Sequence, residues 1–141
     1  MISRRRFGIC AICAVVASKT FLATEVSAQT NTAGTGAIKR NMLSKSEVPG
    51  GNLVAILMAV EVPAGVEIPR HTHPGVESAY VLEGEAELYV QGRSDVKLTP
   101  NTAFQVSPET PHGVRKVEKP LKLAITYVVD KDKPLVTPAP A

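Results

Sequence analysis

An all-β domain, a sandwich or a barrel, is the fold class that this chain of 141 residues predicts. Turn-forming clusters recur about every 8 to 12 residues from Pro49 onward, the spacing of sandwiches and barrels. The segments between them are short and rich in Val, Ile and Leu, as strands are. Eleven prolines and ten glycines break the chain too often for long helices. The length permits one domain and hardly two. Aromatic residues make up only 4% of the chain, so the core must be built of Val, Leu, Ile and Ala.

Taken in order, residues 1–28 read as an export signal. Ser3 to Phe7 is SRRRF, residues 8–17 are modestly apolar, and Val26-Ser27-Ala28 is a small-residue cleavage site. Ser-Arg-Arg-x-Phe resembles a twin-arginine signal, with an ordinary secretory signal as the alternative. The apolar run is far shorter than the roughly 20 residues of a membrane span, and Lys19 interrupts it. Cys10 and Cys13 both fall in this segment, so the mature chain has no thiol for a disulfide or a metal. Residues 29–38 are a polar, small-residue linker with nothing to bury, expected to be disordered.

A single domain is expected over residues 39–134. Residues 39–48 have too few apolar positions to decide between helix and strand; Met42 and Leu43 are expected to cover a barrel edge. Pro49-Gly50-Gly51 is a turn. Residues 53–62, LVAILMAVEV, form an almost continuous apolar run, read as a strand buried on both faces. Such a strand needs a second sheet on one side and a partner subunit on the other, which predicts a homodimer.

Residues 78–82 read as a strand that ends at Glu83-Gly84-Glu85, and residues 86–90 as its antiparallel return. Gln91 to Ser94 is the next turn. Residues 95–99, 103–106, 112–117 and 121–129 supply the remaining strands. Turns at Pro100-Asn101, Pro108 to Pro111 and Lys119-Pro120 separate them. Residues 135–141 belong to a proline-rich tail, expected as a surface arm.

The chemistry centres on three histidines, the only ones in the chain. Side chains at i and i+2 of a strand share a face, so His71 and His73 can aim two imidazoles at one point. Glu77 follows four residues later, and His112 lies behind a second turn-like segment, SPETPHGV. A fold that joins these strands supplies three nitrogens and one carboxylate oxygen. That set suits a divalent transition metal with about two of six positions left open. If Glu77 faces the metal, Ala79 and Val81 share the interior face by parity. If they enter the pocket, Tyr80 can donate from its phenol and Arg70 can hold a carboxylate in its fork; but Tyr80 alternates away and is expected to pack between sheets, and Arg70 is expected as a solvated rim charge. Glu83, Glu85 and Glu87 form an acidic face; Lys116, Lys119 and Lys122 form a loose basic one. Neither has the spacing of a catalytic pair.

Gly65, five residues, His71, one residue, His73, three residues, Glu77, six residues and Gly84 resemble the first cupin motif at every defining position. The second cupin motif is matched less well. Its histidine is His112, but its glycine, proline, second glycine and asparagine fall on Asn101, Ser107, Glu109 and Lys116. Asn101 is a tolerable substitute, because Asn enters the left-handed region readily. Glu109 is not, so the turn before His112 is expected to depart from the family shape. The resemblance covers residues 39–134 and implies a jelly-roll β-barrel, a double-stranded β-helix, with a metal inside.

No nucleophile triad, phosphate loop or nucleotide fingerprint is present, so function must come from the metal and an apolar pocket. What the resemblance implies is a metal-dependent enzyme acting on a small organic molecule, dioxygenase-like and similar to quercetinase-type single-domain cupins. The alternative is a non-catalytic binder of a metal or small ligand. The first 28 residues hold four of the 16 basic groups and one of the 13 acidic groups, which leaves 12 of each in the mature chain. That neutrality argues against nucleic acid or an anionic membrane as a partner held by bulk charge. The signal implies a periplasmic or secreted protein. Affinity for divalent metals rises toward copper in almost any such site. Export after folding would let the site load in the cytoplasm, which favours manganese or iron while leaving nickel, cobalt, copper and zinc open.

Overall fold

The computed structural model describes residues 37–140. The expected export signal, and the linker up to residue 36, lie outside the described residues. The domain is all β. Its eight strands are β1 (Lys39–Val48), β2 (Leu53–Val62), β3 (Ile68–Thr72), β4 (Gly75–Val90), β5 (Val96–Leu98), β6 (Ala103–Val106), β7 (His112–Asp130) and β8 (Thr137–Pro138). Five of them run in the order β1-β2-β7-β3-β8, and β4 joins β5, β6 and β7. All pairs are antiparallel, and the result is a jelly-roll barrel wound as a double-stranded β-helix.

Two long strands carry the fold. β4 and β7 pair antiparallel from Gly75 opposite Val129 to Val90 opposite His112. This corrects the expected hairpin at Glu83-Gly84-Glu85 and the expected break at Lys119-Pro120, because both segments lie inside continuous strands. A glycine marks a bulge or a close backbone approach as readily as a turn, and Gly84 is such a case. Its φ is +101°, and a Cβ there would lie 2.3 Å from the Pro120 carbonyl oxygen. The register slips between Val81 and Glu83, between Glu83 and Glu85, and between Glu85 and Glu87, so the ribbon bends in its middle.

The acidic and basic faces read from the sequence meet across this bend. Glu83 pairs with Lys122 at 2.9 Å, and Glu85 with Lys119. Glu87 pairs with Arg115 at 2.8 Å and with Lys116 at 2.9 Å. These are exposed or half-exposed pairs that favour one register and that salt screens.

Alternation fixes the core. Glu77, Ala79 and Val81 are buried, as parity requires. On β2, Val54, Ile56, Met58, Val60 and Val62 are buried, whereas Leu53, Leu57 and Glu61 are exposed. Within the single chain the strand is therefore buried on one face, not two; an apolar run without alternation hides which face is covered. The core is aliphatic apart from Tyr127, in keeping with the scarcity of aromatics. Burial of each Val or Leu contributes roughly 1.5–3 kcal/mol.

β1 is a strand paired with β2, but Met42 and Leu43 are 53% and 54% exposed and lie outside the core. Tyr80 is also outside the core. It is 42% exposed, and its hydroxyl donates to Asn101 Oδ1 at 2.7 Å.

The turn before His112 keeps a left-handed backbone despite its sequence. Asn101, Glu109 and Lys116 have φ of 72°, 54° and 50°. These are the positions where the second motif would have glycine, glycine and asparagine, and at Glu109 the backbone takes a conformation that glycine usually supplies. Glu109 tolerates it because its N–H donates to the His73 carbonyl at 2.9 Å. The left-handed region costs a non-glycine residue roughly 1–2 kcal/mol.

Glu109→Gly should therefore raise stability by about 1 kcal/mol and Tm by a few degrees, after allowing for the greater unfolded-state freedom of glycine. Gly84→Ala should lower stability by more than about 2 kcal/mol, since the new Cβ meets backbone that cannot move aside. Thermal and urea unfolding of both variants measures this. A neutral Gly84→Ala would show that the bend is not tight.

Candidate metal centre

The four residues singled out in the sequence come together. His71 lies opposite His112 across the β3–β7 pairing. His73 sits just beyond the end of β3, and Glu77 projects inward from β4, opposite Tyr127. One atom from each of His71, His73, Glu77 and His112 lies within 4.8 Å of all the others, and the group could hold a metal ion. His71 Nε2 is 3.2 Å from His73 Nε2. Glu77 Oε2 is 2.9 Å from His73 Nε2 and 3.0 Å from His112 Nε2.

The backbone orients every ring. Nδ1 of His71 lies 2.7 Å from the Pro69 carbonyl, Nδ1 of His73 lies 2.6 Å from the Leu135 carbonyl, and Nδ1 of His112 lies 2.8 Å from the Thr110 carbonyl. A carbonyl accepts only, so each Nδ1 carries its proton, and once Nε2 gives up any proton it shares with Glu77 its lone pair faces the centre. Fixing the tautomer through the far nitrogen is how metal-binding imidazoles are held. The donor set therefore fits a divalent transition metal with open positions.

Electrostatics agree. Burial draws His71 down to about 4, although its bond to the Pro69 carbonyl and the Glu77 charge oppose this, so the ring is neutral near pH 7. Burial pushes the Glu77 carboxyl up, but hydrogen bonds from His112 and His73 outweigh it and hold the carboxyl at about 2. Burial also acts to lower His112, yet its bonds to Glu77 and the Thr110 carbonyl raise it above the ordinary value. A metal entering the site would displace the proton shared by His112 and Glu77.

The centre opens on a cavity of about 220 Å³, lined in part by His71, His73, Tyr127, Arg40 and Arg70. Glu77 and His112 lie behind the other two imidazoles, 4% and 2% exposed. Arg70 is not a simple rim charge. A register shift between Ile68 and His71 breaks the alternation, and residues 68–71 all line the cavity. Its terminal nitrogen donates to Gln91 Oε1, while its Nε is buried without a partner. Leaving such a donor unsatisfied costs roughly 1–3 kcal/mol.

Three contributors escaped the sequence reading. Tyr127 stacks against His73 with ring centroids 4.8 Å apart, and burial pushes its phenol well above the ordinary tyrosine range. Its parity with Leu121, Leu123, Ile125 and Val129 was a usable signal for an inward position. Arg40 reaches the cavity from β1, whose secondary structure the sequence left open. The C-terminal segment is not a free surface arm. β8 pairs with β3, with His71 opposite Pro138, and Leu135 packs on the core while its carbonyl holds His73. The apolar Leu135-Val136 pair in an otherwise polar tail was the clue.

Residues 58–129 match the cupin domain family. Over 68 residues the chain is 31% identical to dimethylsulfoniopropionate lyase DddQ of Ruegeria pomeroyi, a match covering 48% of this chain and 34% of that protein. The crystal structure of that lyase aligns with a TM-score of 0.62 at 23% identity, over 72% of this chain and 51% of the other. A cupin-like protein from Thermotoga maritima gives 0.60 at 18% identity, over 76% of this chain and 79% of the other. A cupin superfamily protein from Desulfitobacterium hafniense gives 0.58 at 15%, over 70% and 84%. The chain thus spans about a third of the curated relative it matches, and the structural likenesses speak to the fold alone.

The His71 shift fixes a pH dependence. The unfolded ring takes up a proton below about 6.5 and the folded one only near 4, so stability is complete above 6.5 and falls as pH drops through that window. Metal-stripped protein should therefore lose Tm between about pH 6.5 and 4.5. In His71→Gln that part of the slope should disappear. Calorimetry across this range checks it, and an unchanged slope in the variant would contradict the assignment.

Proposed function

The chain belongs to the cupin domain family, and on that premise we propose that it is a metal-dependent enzyme acting on a small organic molecule held in the cavity. One observation carries the reading: three imidazoles with oriented Nε2 atoms and one carboxylate oxygen converge beside an open cavity. A divalent metal held by His71, His73, Glu77 and His112 would supply a Lewis acid with open positions facing that cavity. Manganese or iron is the expected ion.

The chain's own groups do the rest. Val60, Ile68, Val114 and Ile125 give the cavity apolar walls that exclude water from a bound molecule. The raised pKa of Tyr127 keeps its phenol protonated, so it acts as a hydrogen-bond donor and not as a resting phenolate. Dioxygenase-like chemistry is the first reading, supported by the open positions. Oxygen-independent elimination is the second, supported by the resemblance to dimethylsulfoniopropionate lyase over 68 residues. Work in the periplasm is part of the proposal and rests on the signal-like residues 1–28. Homodimerisation is also part of it, through the face of β2 where Leu53 and Leu57 are each 38% exposed.

The test is turnover by metal-loaded protein with flavonols, catechols, β-diketones and dimethylsulfoniopropionate, in air and under argon. Consumption tied to oxygen uptake supports the first reading, and loss of dimethylsulfoniopropionate under argon supports the second. The His71→Ala, His73→Ala double variant should lose activity and metal by more than about 100-fold, since even removal of supporting residues costs 10- to 100-fold. No conversion of any compound by fully loaded protein would favour a non-catalytic binder.

A further inference from the structure

The residues lining the cavity include two arginines and no carboxylate. Arg70 enters because of the irregularity in β3. One arm of its guanidinium is anchored on Gln91, and its buried Nε–H has no partner among the described residues. A fork anchored through one arm keeps its remaining terminal N–H groups for a ligand and presents a rigid, charged hydrogen-bonding surface. Arg40 reaches the same cavity from β1. It stands opposite Val60 in the β1–β2 ladder, so both side chains point to one face of the sheet, and both line the cavity. The remaining wall is mostly apolar. The cavity, at about 220 Å³, is below the roughly 300–1,000 Å³ of pockets for drug-sized ligands.

From this arrangement we propose that the Arg70 end of the cavity is a carboxylate-recognition site. Arg70 supplies the fixed fork and Arg40 a second charge from β1, so the molecule taken up is a short organic acid. Its acid group lies on the arginines and its remaining carbons run toward His71 and His73. This names the substrate class for the enzyme proposed above and rests on that reading for the reacting end. The arginine site itself stands without it. Flavonols, large and uncharged in the relevant sense, are poor candidates.

The test is a ligand-observed NMR titration of propionate and propionamide against the mature chain. Metal-loaded and metal-stripped samples are compared, each with its metal content measured. Propionate should bind at least ten times more tightly than propionamide in both. Arg70→Gln should abolish that preference with metal content unchanged. Arg70→Lys should restore only part of it, because an ammonium keeps the charge and loses the fork. Arg40→Gln should weaken propionate binding at least threefold, an effect that shrinks at high salt; it decides the matter if Arg70→Gln does not fold.

Equal binding of acid and amide would overturn the proposal. So would a preference that survives both arginine changes, or one that vanishes when the metal is removed, since the metal would then be the anion site. A wild-type protein that takes up no metal would instead sink the metal-dependent reading, leaving the arginine comparison to be decided on the same stripped samples.

Discussion

The bend in the β4–β7 ribbon is the constraint on which the centre depends. Glu77 and His112 lie near opposite ends of that ladder, with Glu77 opposite Tyr127 and His112 opposite Val90. Along a straight strand, positions 77 and 90 would be about 43 Å apart at roughly 3.3 Å per residue. Yet Glu77 Oε2 and His112 Nε2 are 3.0 Å apart. The ribbon therefore turns back on itself, and the slipped register between Val81 and Glu87 is where it does so. Gly84 lets the backbones cross closely, and the bulge that holds Lys116 adds to the curvature. Carboxylate and imidazole meet because the main chain bends.

A centre placed this way is expensive in local terms. Glu109 and Lys116 sit in left-handed conformations, two imidazoles and a carboxylate are taken out of water, and Arg70 Nε lacks a partner. Such strain persists only where the surroundings over-determine it, and it gathers at functional sites. Here the surroundings are an aliphatic core and the carbonyls of Pro69, Thr110 and Leu135, each of which holds one ring. The Leu135 carbonyl makes the C-terminal segment part of the site.

Local patterns in the sequence were legible where one strand decides the outcome. His71 and His73 converge as the i, i+2 rule requires, and Glu77, Ala79 and Val81 share the inner face. The all-β class followed from the turn spacing. Failures came where distant chain decides. Gly84 and Lys119-Pro120 carry the same signal whether they reverse a strand or bend it, and only the long-range partner tells which. Arg70 lines the cavity because of a register shift, which side-chain parity does not predict. Glu109 adopts a glycine-like backbone while the His73 carbonyl accepts its N–H, an interaction between two connections far apart in the chain. Residues 53–62 read as buried on both faces because alternation is invisible in a run of apolar residues.

Three imidazoles and one carboxylate are expected to hold a metal in this barrel, and X-ray absorption spectroscopy of metal-loaded protein tests this assignment. The first shell should contain three imidazole nitrogens, recognised by the outer scattering of their rings, completed by oxygen. It should contain one imidazole fewer in His112→Ala. A shell of oxygen alone, or one whose imidazole count does not change in that variant, would contradict it.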